Sequence, residues 1–163
     1  MEPIFRTNHK NDPEIEKAHA LCADRIDQFV ELVKKAEEPI YMAKLRFRDP
    51  DKSEERDDFL FYLWLSEVVY HKHENMLSGV FFEVPEGFEK WHHVGKRLGF
   101  DPEDVFDWMV IDSNENMMGG FTIRVTRSRL ETEEEKNKYD KYIGVRNYQS
   151  LFWRINADAD GCD

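Results

Sequence analysis

From Ile15 to Ala36 the apolar residues Ile15, Ala18, Cys22, Ile26, Phe29, Val33 and Ala36 recur at spacings of three or four, and beyond Pro39 the spacing drops to two. The first spacing draws a stripe down one side of an α-helix; the second sends alternate side chains to opposite faces of a β-strand. A chain that changes period in this way commits to helix packed on sheet, because each element has an apolar face that the other can bury. Asp12-Pro13 supplies the start, a carboxylate to cap free N–H groups and a proline at the first helical position, so one amphipathic helix is expected over residues 12–36. In the strand that follows, Tyr41, Ala43, Leu45 and Phe47 are expected to face the core, and Met42, Lys44, Arg46 and Arg48 to face water.

The remaining strands follow from composition and turn signals. Phe59 to Tyr70 is a nearly continuous aromatic and β-branched run and reads as a central strand buried on both faces. Met76 to Val84 returns as its hairpin partner, with Gly79 marking a bulge or a close approach of backbone. Between the first strand and Phe59, the charged stretch from Asp49 to Asp58 reads as a solvated loop. A short strand is expected over residues 96–100, after which Asp101-Pro102 opens one or two helical turns. The turn signal Asp112-Ser113-Asn114-Glu115-Asn116 joins a strand at Trp108 to Ile111 with another from Met117 to Ser128. In the latter, Phe121, Ile123 and Val125 share one face and Thr122, Arg124 and Thr126 the other. Thr132-Glu133-Glu134-Glu135 matches a capping box, and a charged helix is expected to about Tyr142.

The fold class is therefore α+β: a strongly bent antiparallel sheet of about five strands, packed by the N-terminal helix, with a partly closed small barrel as the alternative form. The chain divides into an arm at 1–11, a domain at 12–130 whose sheet occupies 40–128, and a C-terminal helix and tail at 131–163.

Charge narrows the partners. The 163 residues carry a net charge of −11, which repels phosphate backbones and anionic headgroups, so neither nucleic acid nor a membrane surface is an expected partner. Cys22 and Cys162 form no disulfide framework, the N-terminus lacks the apolar core of a signal peptide, and the expected location is the cytoplasm.

Several motifs invite chemistry and fall short of it. His71 and His73 with Glu74 have a spacing that permits metal binding without diagnosing it, and adjacent His92-His93 point apart on extended backbone; no metal or cofactor is expected. Asp158-Ala159-Asp160-Gly161 begins like a calcium loop, but the sequence holds no bidentate glutamate to complete it. The best polar set is Asp107, Thr122 and Arg124 beside Trp108. There an Arg124–Asp107 ion pair is the structural expectation, and a ligand carboxylate or phosphate held by Arg124 is the functional one. Trp91, set among Glu89, Lys90 and two histidines, is the candidate contact residue for a protein partner.

The blocks Ala43-Lys44-Leu45-Arg46-Phe47, Leu63-Trp64-Leu65, Gly95 with Phe100, Asp107-Trp108-Met109 and Gly119-Gly120-Phe121-Thr122-Ile123-Arg124-Val125 occur in order. Through them the chain resembles the YegJ-like bacterial domain family, of unknown function. The resemblance implies a small α+β domain and transfers no activity, cofactor or catalytic residue. The leading functional expectation is a non-enzymatic interaction or regulatory module; the alternative is a small-molecule or enzymatic site around Trp108, Thr122 and Arg124.

Overall fold

The helical stripe forms two helices, not one. In the computed structural model, which describes residues 6–7, 12–53 and 59–151, α1 spans Pro13–Asp24 and α2 spans Ile26–Lys35. Asp12 caps α1 by accepting from the Ile15 N–H at 3.4 Å. Arg25 departs from helical geometry at φ −118°, ψ 14°, and its N–H is shared between the carbonyls of Leu21 and Cys22. No proline or glycine marks this break. Ala36 closes α2 in the left-handed conformation, ahead of Pro39.

The strands are β1 (Arg6–Thr7), β2 (Ile40–Arg48), β3 (Leu60–His71), β4 (Met76–Phe81), β5 (Arg97–Phe100), β6 (Val105–Ile111), β7 (Asn116–Gly119) and β8 (Asn147–Tyr148). Seven of them run in the order β5-β4-β3-β2-β6-β7-β8, and β1 pairs with β3. The pairs are antiparallel except β7 with β8, which is parallel. The sheet is thus larger than the five strands expected, and it is open, with β5 and β8 at its edges, so the barrel alternative does not hold.

A larger correction concerns Met117 to Ser128. Only Asn116–Gly119 is strand; Phe121–Ser128 is a helix, α3. The alternation of Thr122, Ile123, Val125 and Thr126 carries strand propensity, and tertiary hydrogen bonding to the helix start overrides it. Helix α4 spans Glu133–Ile143 with the expected capping box: Thr132 Oγ1 accepts from the Glu135 N–H at 3.1 Å. The Asp101-Pro102 start yields only a 3₁₀ turn, Pro102–Asp104, before β6 begins.

Both faces of the central sheet are buried. One carries Tyr41, Ala43, Leu63, Leu65, Trp108 and Val110 against Phe29 and Val33 of α2 and Cys22 of α1. The other carries Met42, Trp64, Met109 and Ile111 against Ile123 of α3 and Tyr139 of α4. This second layer removes half of the water-facing side expected for β2: Met42 and Lys44 are buried, and Arg46 and Arg48 reach solvent. Near the charged loop, Asp49 is buried and accepts from the N–H groups of Asp51 (3.0 Å) and Lys52 (3.2 Å); residues 54–58 lie outside the described part. Cys162 and the Asp158-to-Gly161 motif also lie outside it. Among the described residues no helix is long and apolar enough to cross a membrane.

Candidate functional site

The start of α3 gathers the residues that the sequence singles out. On β6, Asp107 sits directly across from Lys44 of β2, next to a register shift between Lys44 and Leu45 that re-aims the strand. Its carboxylate is fully buried and receives four hydrogen bonds. Oδ1 accepts from the N–H groups of Trp108 (2.7 Å) and Phe121 (3.0 Å). Oδ2 accepts from the Thr122 N–H (2.7 Å) and from the Thr122 hydroxyl. Phe121 and Thr122 are the first residues of α3, whose amide groups have no partner within the helix, so Asp107 caps a helix that begins 14 residues further along the chain. Burial raises the Asp107 pKa; Lys44 and the hydrogen bonds from Thr122 and Phe121 oppose that rise.

Lys44 completes the cluster. Its Nζ donates to Thr122 Oγ1 at 2.8 Å and lies 5.1 Å from the centre of the Tyr62 ring. Thr122 thus passes the contact between cation and carboxylate: its hydroxyl accepts from Lys44 and donates to Asp107. Sequence reasoning assigned Lys44 to the solvent face and missed it. Lys44 alternates with apolar residues as Arg46 and Arg48 do, so nothing local in the sequence separates the buried cation from the exposed ones.

The two glycines are what let α3 start here. Gly119 (φ 77°) and Gly120 (φ 66°) both adopt left-handed geometry. A Cβ on Gly119 would lie 2.4 Å from the Trp108 carbonyl oxygen and 2.6 Å from its ring, so the tryptophan packs directly against the bare glycine backbone. The Gly120 N–H donates to the Trp108 carbonyl at 2.7 Å. Trp108 itself is 2% exposed, stacked on Phe29 (5.2 Å between centroids, 18° between planes) and edge-on to Phe121.

Arg124 does not pair with Asp107 as expected. Its Nε donates to the Gly119 carbonyl (2.8 Å) and its Nη2 to the Met117 carbonyl (3.3 Å), while the guanidinium lies 5.5 Å from the centre of the Tyr148 ring. Burial brings its pKa down to about 10. The structure therefore brings Asp107, Trp108, Thr122 and Lys44 into one buried knot and gives Arg124 the neighbouring task of holding β7 carbonyls beside β8.

The other candidates lie elsewhere. Trp91, 38% exposed, follows a 3₁₀ turn (Phe88–Lys90) in the β4–β5 connection and packs on Phe88, with Lys90 Nζ 5.7 Å from its ring centre. Val94, three residues on, is 60% exposed. The loop is tied to the sheet by the Gly95 N–H to the Phe81 carbonyl (2.7 Å) and the Phe81 N–H to the Lys96 carbonyl (3.0 Å). His92 stacks on Phe81, where burial lowers its pKa. His71 Nε2 lies 2.6 Å from Ser78 Oγ, and that oxygen accepts from Arg97 Nη1 (2.8 Å). A groove of about 740 Å³ opens between the end of α2 and β3, and none of Asp107, Trp108, Thr122 or Arg124 lines it.

Among known proteins, a model of the family described as an uncharacterized protein conserved in bacteria (DUF2314) matches residues 12–146. That span runs from the cap of α1 to the end of the turn after α4, and includes the whole Asp107 knot. No curated protein and no solved structure matches the chain.

Proposed function

The chain belongs to this uncharacterised bacterial family, and from its surface we propose that it is a non-enzymatic module that binds a partner protein through the β4–β5 connection. The observation that carries this reading is the exposed pair Trp91 and Val94 on a loop closed at its base by two backbone hydrogen bonds that join Phe81 to Gly95 and Lys96. A large ring presented on a fixed loop loses little conformational freedom on binding, which is what makes tryptophan effective at the centre of an interface. The candidate catalytic chemistry points the same way, since the acid, hydroxyl and cation at Asp107, Thr122 and Lys44 are spent on one another and on the start of α3.

The finer family reading, the YegJ-like group, rests on the sequence blocks above, and a cytoplasmic location on the free, buried thiol of Cys22. The test is affinity capture from the native cell with the full chain and with Trp91→Ala/Val94→Asp, whose circular dichroism should match. The expected result is a partner retained by the first and lost by the second. Equal capture by both would remove the reading.

The rival reading, a ligand around Trp108, Thr122 and Arg124, has one observation in its favour: Trp108 Nε1 is buried with no hydrogen-bond partner among the described residues. A ligand there would shift the indole N–H resonance of Trp108 on titration, and a resonance that stays fixed across a metabolite panel would rule it out.

A further inference from the structure

Strands β2 and β3 run side by side and then part. Their register ends at Ala43↔Leu65, although β2 extends back to Ile40 and β3 on to His71. Beyond that point β2 stays paired to β6 on its far side (Ile40↔Ile111, Tyr41↔Val110), and β3 stays paired to β4 on its far side (Val69↔Ser78, Tyr70↔Leu77, His71↔Met76). The separation coincides with a bulge in β3 between Ser66 and Val69, where Glu67 takes φ 51°. Opposite the bulge, a Cβ on Gly79 would come within 2.9 Å of Leu65 Cβ, so the glycine leaves room for the offset. Among the described residues no strand pairs the β2-facing edge of β3 past Leu65.

The groove of about 740 Å³ lies at this fork. Tyr41 and Pro39 line it from the β2 side, Val68, Val69 and Tyr70 from β3, and Val33 from the end of α2. Two apolar side chains at the fork are unusually open for strand residues, Val69 at 42% and Ile40 at 38%. The charges do not select an ion: Lys34 and Lys72 are matched by Glu38 and Glu67, and Lys34 already lies 3.5 Å from Glu31 and over the Tyr70 ring. What remains directional is the backbone. An unpaired strand edge offers alternating N–H and C=O groups that an extended chain satisfies and a compact small molecule does not.

We infer that the groove between β2 and β3 takes an extended peptide segment of a partner protein, which adds as a strand to the free edge of β3 at Val69–His71. The straight part of that edge accommodates roughly three to five residues at about 3.3 Å each. The fitting segment alternates aliphatic with polar residues, because one set of its side chains meets Val33, Val68 and Tyr70 and the other meets solvent and the flanking lysines and glutamates. The bulge and these charges keep copies of the chain from pairing along the same edge. The site shares no lining residue with the Trp91 loop and stands or falls independently of it.

The test begins with a phage-displayed random heptapeptide library panned on the full chain. Its enriched peptide is then titrated into isotope-labelled protein, alongside the same peptide methylated on alternate amide nitrogens. The expected result is an alternating aliphatic consensus, shifts concentrated at the amides of Val69, Tyr70 and His71, and a loss of affinity of tenfold or more on methylation. Val69→Arg, at an exposed position, should weaken binding by a similar factor with an unchanged fold, and Ile40→Arg serves if that variant is unstable. No enrichment, shifts elsewhere, or indifference to methylation would each overturn the proposal. A nitroxide on Cys162 tests the chain's own tail as occupant: broadening of the Val69–His71 amides in the free protein would also overturn it.

Discussion

Asp12 and Asp107 each hold the N-terminus of an α-helix, and they do so in opposite surroundings. Asp12 adjoins its helix in sequence, caps α1 at the surface and is gripped by Arg129, whose Nη1 and Nη2 reach its two oxygens at 2.9 and 2.8 Å. Asp107 lies on a different element from the helix it caps, is completely buried, and replaces solvent with two backbone amides of α3, its neighbour's amide and the Thr122 hydroxyl. The ionic environments push the two carboxyls in opposite directions: the Arg129 hydrogen bond brings Asp12 down to about 2, and burial pushes Asp107 up. A surface cap adjusts the stability of one helix. A buried cap decides whether a segment is a helix at all, since the amides of Phe121 and Thr122 have no water to fall back on.

That contrast breaks first at Asp107. Asp107→Ala leaves the Phe121 and Thr122 amides and the Thr122 hydroxyl without their acceptor inside the core, and at about 1–3 kcal/mol for each buried group left unsatisfied it should cost about 3–5 kcal/mol in all. Urea unfolding followed by circular dichroism measures it. Asp107→Asn should be nearly as damaging, because an amide NH₂ replaces an oxygen that accepts from the Thr122 N–H and hydroxyl. An asparagine variant as stable as the parent would show that Asp107 is not the cap described.

The second largest effect should come from Gly119→Ala. The new methyl group meets the Trp108 carbonyl and ring at under 3 Å, on a backbone with φ 77°. Left-handed strain and overpacking together should cost about 2–4 kcal/mol. The same substitution at Gly87, where nothing lies within 4 Å, carries the backbone strain alone and provides the control.

Arg124 comes next. Truncation to alanine leaves the Gly119 and Met117 carbonyls without a charged donor and should cost about 1.5–3 kcal/mol. Arg124→Lys should recover little of it, since one ammonium cannot reproduce a planar fork that spans two carbonyls and lies over Tyr148. Full stability in the lysine variant would argue against this role, and loss of a bound ligand with stability intact would favour the ligand reading.

These effects also explain what the sequence made legible. The period change at Pro39, the Asp-Pro start of α1, the Asp112-to-Asn116 turn and the Thr132 capping box are local signals, and the helix start, strand, turn and capped helix they mark are present, although the first helix breaks at Arg25 and the strand after the turn is only Asn116–Gly119. Two of the failures are non-local. Residues 121–128 look like a strand because their β-branched side chains alternate, and they are a helix because a carboxylate on another strand meets their first amides. Lys44 looks solvent-exposed because β2 alternates, and it is buried because α3 and α4 cover the second face. The residues of the block joining Asp107-Trp108 to Gly119-Gly120 do meet in the fold, but with other partners than expected, since spacing reports which groups can meet and not what each will bond.

The smallest effect is the most discriminating, because the two caps should differ in sign with pH. The Asp12 carboxyl sits at about 2 when folded against a usual 3.8, so the unfolded chain binds its proton first as pH falls. Its contribution is complete above about pH 4 and disappears as pH drops toward about 2. The Asp107 carboxyl is raised when folded, so there the folded chain binds the proton first, and its contribution, complete below the usual value, declines as pH rises through the raised one. Asp12→Asn should therefore flatten the acid limb of the stability curve between pH 4 and 2 while leaving the stability near neutrality only slightly lowered, as urea midpoints taken at half-unit steps would show. If Asp12→Asn leaves that limb as steep as in the parent, the Arg129 grip is a surface contact without energetic weight, and the difference between the two caps reduces to burial alone.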